Sequence, residues 1–139
     1  MKYAIVFPGQ GSQSLGMLSD LSSNFSIVKD IFSEASDALD LDLWKIVQED
    51  EDALNQTENT QPAMLAAGYA TFKILSNEVD LSPICMAGHS LGEYTALVAA
   101  QSLNYFEAVK LVRKRAELMQ SAVPSGTGAM AAILGLDDE

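Results

Sequence analysis

The stretch Ile84-Cys85-Met86-Ala87-Gly88-His89-Ser90-Leu91-Gly92-Glu93-Tyr94 decides the fold class of this chain. Ile84 to Ala87 form a short apolar run that reads as a strand, and Glu93 to Ala100 read as a helix. Between them, Gly88-His89-Ser90-Leu91-Gly92 has the form G-x-S-x-G, a motif whose chemistry needs a tight strand-to-helix turn. Glycines two residues either side of Ser90 leave room for that turn. Ser90 would then sit in a strained conformation with its hydroxyl exposed, a candidate nucleophile. The backbone N–H of Leu91, at the head of the helix, is a candidate oxyanion donor. Five residues with three fixed recur by chance, and an ordinary turn with glycines for packing is the alternative. The strand before and the helix after favour the nucleophile.

His89 is the only histidine. A serine hydroxyl needs an adjacent base, but neighbours in such a turn point in different directions. His89 is therefore read as shaping the elbow rather than as the base.

Upstream, Tyr3 to Phe7 read as a buried strand, stopped by Pro8-Gly9 and a glycine-rich loop, Gly9-Gln10-Gly11-Ser12-Gln13. The loop lacks the Gly-Lys-Ser/Thr ending of a phosphate-binding P-loop and does not fit G-x-G-x-x-G, since position 14 is Ser. It is better read as approaching a ligand site through its backbone and the Gln10 side chain, at the edge where open α/β sheets bind ligands. A plain turn fits this segment equally well.

A helix is expected from about Ile27 to Leu39, with apolar residues every fourth position, and a short helical turn over Leu43 to Val47. The acidic stretch Glu49 to Asn59 reads as a solvated loop. The next helix is expected to start near Pro62, capped by Thr60, and to run to about Glu78. Asn104 opens the last helix, with Glu107 at capping-box spacing, and that helix ends near Val123-Pro124. Ala129 to Leu134 is a strand candidate after a loop over Ser125 to Gly128. Strands alternating with helices predict an α/β fold with a parallel sheet.

On a helical wheel of that last helix, Lys110, Arg113, Lys114, Glu117, Gln120 and Ser121 fall on one side. Ala108, Leu111, Val112, Leu118, Met119 and Ala122 fall on the other, with Arg115 among them. A guanidinium does not lose its charge at accessible pH and is costly to bury unpaired, so it needs an anion. A protein carboxylate, a snorkelling side chain or a bidentate ligand carboxylate would each satisfy it.

With 139 residues, 48% hydrophobic and 19% charged, the chain has the material for a folded core. Its net charge of -11 repels polyanions on average and argues against a nucleic-acid partner. The basic residues Lys110, Arg113 and Lys114 are read as a solvated helix face in preference to a docking patch. One cysteine, Cys85, excludes an internal disulfide. No apolar run reaches membrane-spanning length, and the N-terminal run is too short for a signal peptide. The expectation is a soluble, cytoplasmic protein with no membrane partner and no metal site.

Taken together, Phe7-Pro8-Gly9-Gln10-Gly11-Ser12-Gln13, Asn59-Thr60-Gln61-Pro62-Ala63 and Gly88-His89-Ser90-Leu91-Gly92-Glu93-Tyr94 resemble the malonyl-CoA:acyl carrier protein transacylases. Arg115 falls at that family's substrate arginine, and Gly126-Thr127-Gly128-Ala129-Met130-Ala131-Ala132 matches as well. The resemblance covers essentially the whole chain in the family's order. It implies a partial α/β-hydrolase-like large subdomain over residues 1–124, a parallel sheet flanked by helices. Residues 125–139 would be the linker and first strand of a ferredoxin-like small subdomain, at whose start the chain is cut.

The resemblance further implies ping-pong transfer of a malonyl group from malonyl-CoA, through malonyl-Ser90, to the phosphopantetheine thiol of acyl carrier protein. Leu91 and a backbone donor at Gln10 would form the oxyanion hole, and Arg115 would pair with the malonyl carboxylate. Leu91 also fits malonyl preference. Coenzyme A enters as the substrate thioester and no cofactor is implied. The family's general-base histidine has no counterpart here, so the chain is expected to be an N-terminal piece that does not turn over alone. The full-length enzyme is expected to be monomeric, and the piece prone to association. The readings kept beside this one are an α/β-hydrolase-type serine esterase and a non-catalytic fragment that binds acyl-CoA or carrier protein.

Overall fold

The computed structural model describes residues 2–123, 126–128 and 135. The strand expected at Ala129–Leu134 lies outside the described residues, as does Ser125 of the loop before it. Strand β1 (Ala4–Phe7) pairs in parallel with β2 (Cys85–Gly88), Ala4 opposite Cys85 and Phe7 opposite Gly88. Between them run helices α1 (Ser19–Asn24), α2 (Ile27–Leu39), α3 (Leu43–Glu49), α4 (Glu51–Leu54) and α5 (Thr57–Glu78). After β2 come α6 (Gly92–Ala99) and α7 (Tyr105–Ser121). This is the expected α/β fold with a parallel sheet and helices packed on it.

Side chains alternate across the sheet, as the two-residue period of a strand requires. Ile5, Phe7 and Met86 turn inward to Phe72 of α5 and to Ala96 and Ala99 of α6. On the other face Val6 is 70% exposed, and Cys85 and Ala87 are exposed too. The larger core lies among the helices. Val28 and Phe32 of α2, Leu43 of α3, Leu65 of α5 and Val109 and Val112 of α7 are fully buried in it. Helix α5 packs against α2, α6 and α7. Ala63, Ala66, Ala67 and Ala70 keep its surface low enough for these neighbours to approach.

Two expectations need correction here. The stretch Glu49 to Asn59 is not a solvated loop. Asp50 caps α4, its carboxylate accepting from the Ala53 N–H at 2.9 Å, and Leu54 is buried. Helix α5 then starts at Thr57, so Thr60 and Pro62 lie inside it rather than at its head. The Thr60 hydroxyl is buried and reaches the Leu54 and Gln56 carbonyls, closing the corner between α4 and α5.

Pro62 has no N–H to donate to the carbonyl of Glu58, four residues back. That carbonyl accepts instead from Arg113 Nη1 at 3.1 Å. The expected cap of α7 is present, with Asn104 Oδ1 accepting from the Glu107 N–H at 3.1 Å. Among the described residues no helix is long and apolar enough to cross a membrane.

Candidate active site

The elbow is built by the contact of three glycines with backbone. A Cβ on Gly88 would overlap the carbonyl carbon of Gly92, and one on Gly92 would overlap the Phe7 carbonyl oxygen. A Cβ on Gly9 would stand 2.7 Å from the His89 carbonyl oxygen and 2.9 Å from its Nδ1. The turn after β2, the head of α6 and the glycine-rich loop after β1 therefore pack backbone to backbone. The His89 N–H donates to Phe7 O at 3.1 Å and its carbonyl accepts from Gly92 N–H at 2.9 Å. His89 thus shapes the elbow through its backbone, while its ring lies against Gly9.

Ser90 has a φ of 53°, in the left-handed region that non-glycine residues rarely occupy, and it is exposed. Strain of this kind costs about 1–3 kcal/mol. Here it lifts the hydroxyl off the end of the sheet. Leu91 returns at once to helical angles, φ -57° and ψ -36°, with its side chain 1% exposed. Its N–H lies at the head of α6, ahead of the intrahelical bonds, where backbone donors are left over.

Arg115 reaches Ser90 from α7. Its Nη2 donates to Ser90 Oγ at 2.9 Å, and its Nη1 donates to Gln61 Oε1 at 2.7 Å. The guanidinium carbon stands 5.5 Å from the centre of the Tyr94 ring, one turn along α6 from Ser90. The wheel brought Arg115 to the right face of α7 but misjudged what covers that face. Leu111 is 46% exposed and Leu118 57%, while Ala108, Val112 and Ala116 carry the packing. Among the described residues Arg115 has no carboxylate within ion-pair distance. Of the three ways to satisfy it, a carboxylate from the described residues is not the one used.

Lys110, Arg113 and Lys114 are paired within the helix layer. Lys110 lies 3.5 Å from Glu107, Lys114 3.6 Å from Glu117, and Arg113 3.4 Å from Glu58 and 3.2 Å from Glu117. Lys110 and Lys114 are exposed, as a solvated helix face requires, but Arg113 turns into the α5 contact, so that reading fails for it.

Gln10 follows Gly9 in the glycine-rich loop. Its side-chain Nε2 donates to Thr57 Oγ1 at 3.1 Å, and Gln13 Nε2 donates to Asn55 Oδ1 at 3.0 Å. These bonds tie the loop to the start of α5. The Gln10 side chain therefore turns to α5, and Gly9 is the residue that abuts the elbow.

Gln61 had no role assigned from sequence, although it lies in one of the quoted motifs. It is fully buried and holds Arg115, with its own Nε2 donating to Met119 Sδ at 3.4 Å. The signal was three successive polar residues, Asn59-Thr60-Gln61, in a stretch that is otherwise a helix. All three are buried, so each must meet a partner. No group of three or more His, Cys, Asp or Glu among the described residues could hold a metal ion.

Residues 4–138 match the model of the acyl transferase domain. The chain is 55% identical over 140 residues to a malonyl CoA-acyl carrier protein transacylase of Haemophilus influenzae, covering 99% of this chain and 45% of that protein. It superposes on an acyl carrier protein S-malonyltransferase from Vibrio cholerae with a TM-score of 0.93 at 53% identity, over 99% of this chain and 45% of the other. A malonyl-transacylase solved in complex with its type II polyketide acyl-carrier protein gives 0.94 at 52% identity, with the same coverage. The chain thus spans less than half the length of these relatives. With strands, elbow and arginine helix all inside the matched span, this chain belongs to the acyl transferase domain family.

Proposed function

We propose that the protein carrying this chain transfers a malonyl group from coenzyme A to the phosphopantetheine thiol of acyl carrier protein, through an ester on Ser90. The observation that carries the reading is Arg115: a guanidinium 2.9 Å from an exposed, strained serine hydroxyl, held by neutral groups. Such a cation selects an acyl group with its own anion. A malonyl ester places a carboxylate two bonds beyond its carbonyl carbon, close enough to take over the fork that now rests on Ser90 Oγ. The names of the relatives, malonyl transacylases acting on acyl carrier protein, support the same substrate pair.

In the first half-reaction Ser90 Oγ attacks the thioester carbonyl. The C–O bond forms, the C–S bond breaks, and coenzyme A leaves as the thiol with the proton that a base has taken from Ser90. In the second, the carrier thiol attacks the ester, its C–S bond forms, the C–O bond breaks and Ser90 regains the proton. The N–H groups of Leu91 and Gln10 hold the oxyanion in each step. The His89 ring lies against Gly9, which supports a base other than His89. The reaction needs no metal or cofactor and suits a cytoplasmic enzyme.

The test is acyl loading of the full-length protein, followed by intact mass with malonyl-CoA and with acetyl-CoA. Ser90→Ala is expected to abolish both adducts. Arg115→Ala is expected to slow malonyl loading roughly 100-fold, the scale of a lost buried charge pair, and acetyl loading much less. Equal losses for the two acyl groups would remove the carboxylate-pairing role, and an adduct surviving on Ser90→Ala would remove Ser90.

A further inference from the structure

Helix α7 presents Arg115 and Met119 one turn apart, and the buried amide of Gln61 on α5 spans the two. Its oxygen accepts from Arg115 Nη1 at 2.7 Å and its nitrogen donates to Met119 Sδ at 3.4 Å. A guanidinium has only donors, so Gln61 must show it the oxygen. The amide NH2 then needs an acceptor in a site with little else to offer, and a thioether is a weak but sufficient one. On its other side the guanidinium lies over the ring of Tyr94, at a distance where the ring's negative face attracts a cation. Neither Tyr94 nor Met119 makes a hydrogen bond to Ser90, yet together they restrict both the plane and the reach of Arg115.

We propose that Tyr94 and Met119 are positioning residues for the acyl carboxylate site: the Tyr94 ring supports the Arg115 guanidinium, and the Met119 thioether fixes the Gln61 amide so that its oxygen faces Arg115. This rests on the carboxylate-binding role of Arg115 proposed above. A fork aimed in advance loses little freedom when the carboxylate binds, whereas a loose one must be ordered by the substrate itself. The consequence falls on malonyl KM and on the choice between malonyl and acetyl groups.

The experiment compares Tyr94→Phe, Tyr94→Leu, Met119→Leu and Arg115→Ala in the full-length protein. Malonyl and acetyl loading are each resolved into kcat and KM. Tyr94→Phe keeps the ring and is expected to stay near wild type. Tyr94→Leu and Met119→Leu are expected to raise malonyl KM by roughly 3- to 10-fold, with acetyl loading changed far less. Met119 is 39% exposed and leucine matches its bulk, so this variant keeps the test alive should Tyr94→Leu not fold. A malonyl-to-acetyl ratio that both leucine variants leave intact while Arg115→Ala collapses it overturns this inference and leaves the function standing. Equal harm from Tyr94→Phe and Tyr94→Leu, or equal losses for both acyl groups, also overturns it. A ratio that survives Arg115→Ala overturns the function and this inference with it.

Discussion

Arg113 and Arg115 lie two residues apart on α7, both half-buried, and serve opposite ends. Arg113 is neutralised. It pairs with Glu58 and Glu117, donates to Asn59 Oδ1 at 2.6 Å, and fills the place of the missing Pro62 N–H at the Glu58 carbonyl. Its partners belong to α5 and α7, so it joins the two helices where proline would leave a carbonyl unpaired. Among the described residues Arg115 meets only neutral groups, Gln61, Ser90 and Tyr94. Two guanidiniums with the same sequence surroundings thus differ in whether the described residues supply their counter-charge. A cation whose charge the fold itself balances is structural. One held by neutral dipoles beside an exposed serine is, on the function proposed above, the one that takes its anion from outside.

That contrast depends first on the elbow that brings Ser90 to Arg115. Gly88→Ala is the harshest test of it, because the new methyl would overlap backbone of the α6 head rather than a movable side chain. The expected cost is roughly 3–5 kcal/mol in chemical denaturation, with acyl loading lost. A stable, fully active Gly88→Ala protein would show that the turn does not hold Ser90 as described.

The next test separates the arginines directly. Arg113→Ala is expected to cost about 2 kcal/mol of stability, from lost bonds to a buried acceptor and to carboxylates, with the malonyl-to-acetyl ratio unchanged. Pro62→Ala in the same chain restores an N–H to the Glu58 carbonyl. Although it gives up the stiffness of proline, it should return about 1 kcal/mol of that loss, and a double-mutant cycle reads the coupling. Additive effects would detach Arg113 from the proline, and a shifted acyl ratio would end the division of labour between the arginines.

The elbow was legible from sequence because its turn is local, a strand, two glycines and a helix within eleven residues, whereas the support from Phe7 and Gly9 appears only in the fold. Arg115 was legible because one charge broke the pattern of a helix face. Gln61, Tyr94 and Met119 were not, since their roles exist only once α5, α6 and α7 have packed. The start of α5 was misplaced for a related reason. Proline is favoured at a helix head, and nothing near Pro62 in sequence announces that Arg113, some fifty residues on, will take the carbonyl the proline frees. The open sheet face carrying Val6 and Ala87 shows the limit from the other direction. Its residues have strand-core character, but composition does not say what packs there.

A third polar residue of α7 supplies the smallest effect. Tyr105 is buried and its hydroxyl donates to the Ile31 carbonyl at 3.0 Å, with its ring stacked on Tyr69. Burial raises its pKa well above 10.0, and the nearby Glu34 and Tyr69 add to the rise. The unfolded tyrosine ionises near pH 10, so above that pH the unfolded chain loses a proton the folded one keeps, and unfolding gains. The stabilisation from Tyr105 is therefore whole below about pH 10 and falls as the pH climbs toward the folded pKa. Tyr105→Phe should cost about 1 kcal/mol near neutrality for the lost hydrogen bond. It should also flatten the decline of stability between about pH 10 and 11 relative to wild type. Denaturation midpoints across that range measure both. Parallel slopes would mean that Tyr105 ionises as readily in the fold as out of it, and that its burial against Ile31 and Tyr69 does not govern its proton.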